Sequence, residues 1–523
     1  MKKIRFLLFI LVILVSAMLF VGCGKSEDSG SQDDVIVLRI CNWEEYMDEG
    51  DWGEDELIEL DNGVTIFGEN AMIDDFEAWY YETYGIRVEV EYSTFGTNED
   101  LYNQLTLGDE YDLVCPSEYL IMKLMAEGML TPYSEEFHDK DGEYNYYAKG
   151  VSGYIDEVFN ENEINGEAWS KYAAGYMWGT TGIVYNPEYI TREMASNWDM
   201  FLDESLNKKI TVKDNVRDSM FSAMAIYKHD ILTSPELLNS DNYHEQLQDL
   251  LNDTSEEAVN GCEAILKQMK NLAYSFETDS GKADMVTGKV YANYQWSGDA
   301  VYSLDQAEED GLYLEYSVPE SCSNLWFDGW VMLKSGIDGD SAKQHAAEAF
   351  VNFLSRPDNA VRNMYYIGYT SVISGGEDDT VFQYADWCYG TEEDVEDYDF
   401  ELSFSSSSPE FINYDLSYFF GNEDAVITCD FEQTKRQLYA QYPTEEVIDR
   451  CVVMWYFDEE ETARVNQMWI NVRCFDMSHA VVPLVTLAIV VVVIAVFAVI
   501  YLQRHRVFNI KKKEKLDNKV DYD

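Results

Sequence analysis

The sequence predicts an α/β fold built on a parallel sheet, and two observations lead to this prediction. Between residues 35 and 129, short apolar runs typical of strands alternate with longer runs typical of helices. Gly85 and Gly108 follow two of the predicted helices, where helix C-caps are expected. Because parallel neighbours need a crossover connection, this alternation indicates βαβ units. With 523 residues, the chain is long enough for two or three domains.

The first βαβ units come from six consecutive runs. The apolar run "VIVLRI" begins the series as a buried strand, and Asn98 is the predicted N-cap of the second helix. In chain order, the predictions are strand 35–40, helix 70–85, strand 86–92, helix 98–108, strand 111–117 and helix 118–129.

The later runs continue the α/β pattern. Residues 176–186 are predicted to form a crossing strand, and 340–369 to form two helices separated at Pro357. Residues 373–430 are acidic and rich in serine, which favours long loops with short elements. The remaining predictions are strands at 208–214, 288–297 and 324–336 and consecutive helices over the whole of 444–472.

The N-terminus has the pattern of a bacterial lipoprotein signal. A basic start precedes an apolar run, and Gly22 precedes Cys23. This pattern predicts a signal peptide over 1–22, a lipid on Cys23 and a flexible tether over 23–34. An uncleaved N-terminal membrane anchor is the alternative.

The C-terminal region predicts a transmembrane helix. Residues 480–502 form an apolar segment of about 23 residues without a charge, long enough to cross a bilayer. Several basic residues follow, so the tail 503–523 is predicted to lie in the cytoplasm. The chain between Cys23 and His479 is then outside the cell.

The net charge of −62 excludes nucleic acid as a partner, because like charges would meet. Two explanations remain: a generally acidic solvated surface, which we expect to account for most of the charge, or a field that gathers cationic solutes. Besides Cys23 there are eight cysteines, and their spacing fits no zinc site. Cys41 and Cys115 are predicted core residues, and pairing among the last four (388, 429, 451 and 474) stays open.

Enzymatic motifs are absent from the sequence. It contains no HExxH, GxSxG, P-loop or GxGxxG motif, so we expect no catalysis and no cofactor. Acidic pairs are abundant but none stands out as an acid and a nucleophile. A secreted acidic hydrolase such as a glycosidase is therefore the alternative from a different functional class.

Tryptophan or tyrosine recurs beside aspartate or glutamate where predicted strands end. The pattern occurs in "NWEEY" (42–46), "PSEY" (116–119), "QWSGD" (295–299) and "LWFD" (325–328), and "DNVRD" (214–218) adds acids at a fifth end. Strand ends in open α/β sheets are where ligands bind. Carboxylates pair with ammonium groups, and aromatic faces add cation–π attraction and cover methylenes. The pattern therefore favours a flexible organic cation as ligand.

Several motifs resemble those of bacterial spermidine/putrescine-binding proteins, the extracellular receptors of polyamine ABC importers. They are "NWEEY", "YDLVCPSEYLIMKLMAEGML", "YMWGTTGIVYN", "WFDGWVMLKSG" and "AAEAFVNFLSRPDNAVRNMYYIGYTS". The resemblance implies a type II periplasmic binding protein fold, in which two α/β lobes joined by crossing hinge strands close on the ligand. The lobes are expected at 35–175 with 327–372 and at 176–326 with 373–475.

The resemblance also implies a set of ligand-binding residues. Asp328 matches the central carboxylate for an amine, and Asp299 resembles a variant of putrescine-preferring members. The others are Trp43, Tyr46, Ser117, Tyr119, Asp218, Trp296, Trp326 and Tyr369, which supply aromatic walls, hydroxyl groups and a further acid.

Three further residues belong to this predicted site because of where they fall in the motifs. Glu45 is ordinary in the family, whereas Glu44 stands where threonine is usual. The family usually has two acids around "DNVRD": Asp218 matches one, and the other falls on Asn215, or on Asp214 if the alignment shifts by one residue. We therefore expect Glu44 to influence which polyamine is preferred.

These observations predict a surface-tethered polyamine receptor that delivers its ligand to an ABC permease. The same fold binding another cationic amine or an amino acid is the first alternative, and an ectodomain that signals through the terminal helix is another. Binding through carboxylates should weaken as the pH falls through the range near 4.

Overall fold

The structure is a computed structural model that describes residues 35–391 and 409–474, together with 487, 489–491, 494, 496, 497 and 501. The predicted signal peptide, Cys23, the tether and the tail 503–523 lie outside the described residues, as does most of the predicted membrane helix. Within the described residues, every helix is too short or too polar to span a bilayer.

The strands are numbered in chain order. They are β1 Ile36–Trp43, β2 Ile58–Glu59, β3 Thr65–Ile66, β4 Val88–Phe95, β5 Leu113–Val114, β6 Leu130–Thr131, β7 Glu163–Ile164, β8 Glu167–Ala168, β9 Ala173–Tyr185, β10 Ile210–Lys213, β11 Ser275–Glu277, β12 Ala292–Trp296, β13 Glu315–Ser317, β14 Ser323–Leu333, β15 Thr370–Ser371, β16 Phe411–Asp415, β17 Val426–Asp430 and β18 Cys451–Val452.

The α-helices are numbered in the same way. They are α1 Met72–Tyr84, α2 Asn98–Leu107, α3 Glu118–Ala126, α4 Tyr146–Gly150, α5 Gly153–Glu161, α6 Arg192–Ala195, α7 Val216–Tyr227, α8 His229–Leu232, α9 Pro235–Leu238, α10 Tyr243–Leu251, α11 Glu256–Leu272, α12 Ser280–Val286, α13 Ser297–Glu309, α14 Lys334–Ile337, α15 Ser341–Leu354, α16 Pro357–Ile367, α17 Thr380–Tyr389, α18 Ser417–Phe420, α19 Gln437–Gln441, α20 Glu445–Ile448 and α21 Glu459–Arg473. Short 3-10 helices span Glu54–Glu56, Trp169–Lys171, Trp198–Leu202, Glu204–Leu206 and Phe431–Lys435.

One sheet runs through the molecule in the order β11-β10-β12-β9-β14-β5-β1-β4. At one end β4, β1 and β5 are parallel, and at the other end β11, β10 and β12 are parallel. The two long strands β9 and β14 lie between these ends and pair antiparallel with each other. We call the part around β1, β4 and β5 the first lobe and the part around β10, β11 and β12 the second lobe.

The pairing of β9 with β14 contains an irregularity at Asp328. The register shifts between Asp328 and Gly329, where Asp328 pairs with Met177 and Gly329 with Gly175. Asp328 also forms an isolated antiparallel bridge with Ser117, and the Gly329 amide donates to the Pro116 carbonyl at 3.1 Å. Such bulges re-aim side chains next to binding sites. This one places the Asp328 backbone beside the residues that follow β5.

Buried apolar side chains form two clusters. The smaller cluster consists of second-lobe residues such as Val212 and Met224, together with Val465 and Met468 of α21. The larger cluster extends over both lobes, since it joins Leu38 and Ile40 of the first lobe to Ala300 and Leu304 of α13, and it also includes Phe419. The predicted lobe boundaries remain a prediction.

The strand and helix predictions are confirmed for the βαβ units. The strands β1, β4, β5, β9, β10, β12 and β14 and the helices α1, α2, α3, α15 and α16 all lie where they were predicted, within a few residues. Gly85 and Gly108 adopt positive φ angles of 70° and 102° as the predicted C-caps of α1 and α2.

Two local predictions were wrong. Thr97, not Asn98, caps α2, because its hydroxyl accepts the Asp100 amide, while the buried Asn98 side chain accepts the Ser117 amide at 3.1 Å. Residues 444–472 are not helical throughout, since β18 and an irregular segment separate α20 from α21. Within the described residues, 373–430 contains α17, α18 and the β16–β17 hairpin as well as loops.

The eight cysteines of the described residues are all free thiols. Cys41 and Cys115 are fully buried, as predicted.

A buried arginine fixes the acidic segment that follows β1. Arg362 of α16 pairs with Asp48, donates to the Asn70 carbonyl, and lies 2.7 Å from the Asp75 carboxylate. Asp48 also accepts the Trp52 indole N–H at 2.9 Å. Both Arg362 and Asp48 are buried, so each needs the other charge.

Replacing Arg362 with methionine should therefore lower the free energy of unfolding by about 3–5 kcal/mol, because Asp48 would remain buried without its counter-charge. Urea unfolding of the variant measures this loss. The matched control is Lys171→Met, which breaks a pair that is about half exposed on both sides and should change stability by less than about 1 kcal/mol. Equal effects of the two variants would contradict the assigned role of Arg362.

Candidate ligand-binding site

A cavity of about 550 Å³ lies between the lobes, at the carboxyl ends of β1, β4, β5, β10, β11 and β12. Its volume is in the range of small-molecule sites. The structure places all thirteen residues of the predicted site on its wall: Trp43, Glu44, Glu45, Tyr46, Ser117, Tyr119, Asn215, Asp218, Trp296, Asp299, Trp326, Asp328 and Tyr369.

Asp328 is a buried carboxylate held by two neutral hydroxyl groups. Ser117 donates to Oδ1 at 2.7 Å and Tyr46 donates to Oδ2 at 2.8 Å. Burial raises the pKa of Asp328 to about 6, although both hydroxyl groups oppose the shift. Burial and the nearby Asp328 charge hold the pKa of Tyr46 well above 10, so the phenol keeps its proton. Asp328 therefore ionises near neutral pH without a cationic partner among the described residues.

Asp218 is the second buried carboxylate on the wall, in the first turn of α7. Its Oδ2 atom has no hydrogen-bond partner among the described residues. Burial raises the pKa of Asp218 to about 6, against the opposing charge of Lys213. Asn215 caps α7 by accepting the Arg217 and Asp218 amides at 2.7 and 3.3 Å. Asn215 thus positions Asp218, and its carbonyl oxygen is already occupied.

Asp299 differs from both, because it is paired with two lysines. Lys213 lies 3.4 Å from Oδ2 and Lys282 lies 3.3 Å from Oδ1. Tyr369 also donates to Oδ1, at 3.0 Å. The Lys213 ammonium lies 3.5 Å from the centre of the Trp296 ring, in a cation–π contact.

A similar internal cation lies beside Tyr119. The Arg217 guanidinium is stacked 4.2 Å from the Tyr119 ring and 3.8 Å from the Phe457 ring, and it donates to the Trp455 carbonyl at 2.6 Å. Tyr119 belongs to the first lobe and Arg217 to the second, so this stack links the lobes at the edge of the cavity.

Aromatic rings form much of the wall. Tyr369 makes edge-on contacts with Tyr46 and Trp326, at centroid distances of 5.0 and 5.7 Å. Two glycines allow this close packing: a Cβ atom at Gly298 would lie 2.3 Å from the Tyr369 ring, and one at Gly179 would lie 2.7 Å from the Trp326 ring. The rings therefore present apolar faces that suit a methylene chain.

Exposed acids surround the mouth of the cavity. Glu44, Glu45, Glu49 and Asp279 line it and are solvent-exposed. Together with Glu118, Asp218, Asp299 and Asp328 they make eight acidic lining residues, against Lys282 as the one basic residue on the described wall. The field at the mouth therefore attracts cations. Because Glu44 is exposed, water and salt screen its charge more than the buried charges.

Several functional residues were missed by the sequence reasoning. Glu118 lies between the predicted Ser117 and Tyr119, is fully buried, and accepts the Phe327 amide at 3.2 Å. Burial raises the pKa of Glu118 to about 8, so it is mainly neutral at pH 7. Lys213 and Lys282 were missed because only acids and aromatics were sought. The sequence pattern that could have identified Lys213 is its position at the end of the apolar strand "ITVK".

Comparison with known proteins agrees with this architecture. A family model described as bacterial extracellular solute-binding protein matches residues 71–386, more than half of the chain. The chain belongs to this family. Its relatives are substrate-binding proteins of transport systems, so the expectation of a binding protein is supported at the level of the family.

Two curated relatives illustrate the similarity. The putrescine-binding periplasmic protein PotF of Escherichia coli K12 is 25% identical over 280 residues, which cover 52% of this chain and 67% of PotF. The spermidine/putrescine-binding periplasmic protein of Salmonella typhimurium LT2 is 25% identical over 289 residues, covering 54% of this chain and 70% of the relative.

Solved structures support the fold. The spermidine/putrescine ABC transporter substrate-binding protein PotD of Streptococcus pneumoniae superposes with a TM-score of 0.51 at 20% identity, covering 84% of this chain and 98% of PotD. The predicted α/β, two-lobed periplasmic binding protein fold with crossing strands is therefore confirmed for this solute-binding protein.

Replacing Asp328 with asparagine should stabilise this solute-binding protein at pH 8 in the absence of ligand. A carboxyl whose pKa is raised by folding binds its proton more tightly when folded, so stability falls as the pH rises from 4 to above 6. Asparagine has no charge and removes that loss, so the free energy of unfolding at pH 8 should rise by about 1–3 kcal/mol. Thermal unfolding at pH 8 and pH 4 measures it.

The gain should disappear at pH 4, where the folded Asp328 is already protonated. A variant that is equally destabilised at both pH values would show that the Asp328 charge is compensated in the folded protein.

Proposed function

We propose that this protein is the extracellular receptor of a polyamine ABC importer and that it binds its ligand between the lobes. The observation that carries the proposal is Asp328: a buried carboxylate held by neutral hydroxyls, beside aromatic rings and without a cation of its own among the described residues. The relatives PotF and the Salmonella protein are putrescine- and spermidine/putrescine-binding proteins, which supports the same ligand class.

A polyamine would meet three features of the cavity. One ammonium group pairs with Asp328, and a second pairs with the unpartnered oxygen of Asp218. Each methylene that is covered by the rings contributes about 0.8 kcal/mol, and each cation–π contact contributes about 0.5–2 kcal/mol. After the free-energy cost of ordering the ligand and the side chains is subtracted, two ion pairs and three or four methylenes give a binding free energy of roughly −8 kcal/mol, which is a micromolar affinity.

An amino acid is less well matched to the wall. Its carboxylate would need a free cationic or donor group, and Lys282, the basic lining residue of the described cavity, is already paired with Asp299. The exposed acids at the mouth and the unpaired carboxylates of Asp218 and Asp328 would also repel a carboxylate. Binding of an amino acid instead of a polyamine would therefore refute our proposal in favour of the amino-acid alternative.

Delivery to a permease and attachment to the membrane complete the proposal. The Gly22–Cys23 motif supports a lipid anchor, and the uncharged segment 480–502 supports a second anchor at the C-terminus. Replacing Cys23 with alanine and locating the protein in membrane and soluble fractions tests the first anchor. Truncation before residue 480 tests the second.

Calorimetric titration of the full-length protein in detergent should show micromolar or tighter binding of putrescine or spermidine, and none of neutral or anionic amino acids. Replacing Asp328 with asparagine should weaken polyamine binding at least tenfold, because one ammonium loses its counter-charge. Asp310→Asn is the matched control, since Asp310 is exposed and lies outside the cavity. Absence of heat with any polyamine, or unchanged affinity of Asp328→Asn, would refute the proposal.

Polyamine affinity should be lost as the pH falls through about 6, not through the range near 4 that the sequence suggested. The pKa values of Asp328 and Asp218 are both raised to about 6, and only the ionised carboxylates pair with ammonium. Each carboxylate drops from mostly ionised at pH 7 to about one-tenth ionised at pH 5, so together they reduce affinity about 100-fold. Titrations at pH 8, 7, 6 and 5 measure this.

In Asp328→Asn the remaining decline between pH 7 and 5 should be only about tenfold. An affinity that stays constant down to pH 5 would contradict the role of both carboxylates.

A further inference from the structure

The three buried aspartates on the cavity wall are not equivalent. Asp328 accepts hydrogen bonds from hydroxyl groups, and Asp218 keeps one oxygen without a partner. Asp299 alone among these three pairs with two ammonium groups, those of Lys213 and Lys282. The carboxylate of Asp299 is therefore more than neutralised by the chain itself.

The two lysines hold Asp299 in different ways. The Lys213 side chain is fully buried, lies on the Trp296 ring and also donates to the Thr278 carbonyl at 3.3 Å. It fills a position behind the wall and is fixed there. Lys282 lines the cavity, its side chain is 20% exposed, and Asp299 is its hydrogen-bond acceptor among the described residues.

Lys282 stays charged in this environment. Burial lowers the pKa of Lys282, but the carboxylates of Asp299 and Asp279 outweigh this and raise it overall. Glu45 at the mouth contributes in the same direction. A charged ammonium group on a flexible stem therefore lies at the wall of a cavity that suits ammonium groups.

We propose that the Lys282 ammonium competes with the ligand for the Asp299 carboxylate. Lys282 thereby determines how many ammonium groups of the ligand can pair with an aspartate of the cavity. The inference rests on the proposed polyamine function. A diamine is satisfied by Asp328 and Asp218, and it leaves the Lys282–Asp299 pair intact. Among the three buried aspartates only Asp299 is left for a third ammonium, which must displace Lys282 or remain close to a like charge. The cavity therefore favours diamines over triamines.

The test compares putrescine and spermidine binding to the full-length protein and to Lys282→Met, which keeps most of the apolar stem and removes the charge. We expect spermidine to bind at least tenfold more tightly to the variant, with putrescine affinity changing less than about threefold. Adding Asp299→Asn to Lys282→Met should abolish most of the spermidine gain, because the freed carboxylate is then absent.

Two controls separate this effect from a general change of charge or fold. Lys289→Met removes the same charge outside the cavity, from a lysine that is 46% exposed and pairs with Asp284, and should leave the spermidine-to-putrescine ratio unchanged. Lys282→Arg keeps the charge and should also keep the wild-type ratio. Lys282→Gln is the second neutral variant, should Lys282→Met fail to fold.

The outcomes distinguish the inference from the function on which it rests. If wild-type protein binds polyamines and neutral variants at Lys282 shift both affinities equally, or not at all, the inference is wrong and the proposed function stands. If neither wild type nor these variants bind any polyamine, both are wrong.

Discussion

The buried carboxylate of Asp328 is the constraint on which the rest of the site depends. A charge removed from water is unfavourable unless something pairs with it, and among the described residues two hydroxyl groups hold Asp328. Those hydroxyls come from Tyr46 after β1 and Ser117 after β5, so both strand ends must meet β14 correctly. The bulge at Asp328 and the bridge to Ser117 meet that requirement.

Several other buried acids of the chain have a cationic partner, which Asp328 lacks among the described residues. Although acidic residues outnumber basic ones by 98 to 36, several of the basic residues pair with buried carboxylates. Asp112 pairs with Arg39 and Lys343, Asp48 pairs with Arg362, and Asp299 pairs with Lys213 and Lys282. Asp328 has no such partner among the described residues, which is why the proposed function assigns its counter-charge to the ligand.

Local sequence patterns and the family resemblance together predicted the fold and the wall of the cavity. Strand–helix alternation predicted the βαβ units, and aromatic–acid pairs at strand ends indicated a ligand site. The resemblance supplied the two-lobed fold and the individual residues of that site. Partners distant in the chain could not be predicted in the same way. Lys213 and Asp299 are separated by 86 positions, and Asp48 and Arg362 by 314, so no local pattern joins them.

Burial explains the remaining differences between the sequence predictions and the structure. Composition assigns Asp328 and Asp218 an ordinary carboxyl pKa near 4, whereas their place inside the wall raises it to about 6. Asn98 has the residue type of a helix cap, but its side chain is buried and accepts the Ser117 amide, which leaves capping to Thr97. In each case the environment of the side chain decided the outcome.

The position of Asp328 has a consequence for the order of events during binding. Its two partners, Tyr46 and Ser117, both belong to the first lobe, so one ammonium subsite is complete without any residue of the second lobe. In the proposed function, capture of a ligand therefore begins on the first lobe. Asp218 and Trp296 of the second lobe then act on a ligand that is already held at one end.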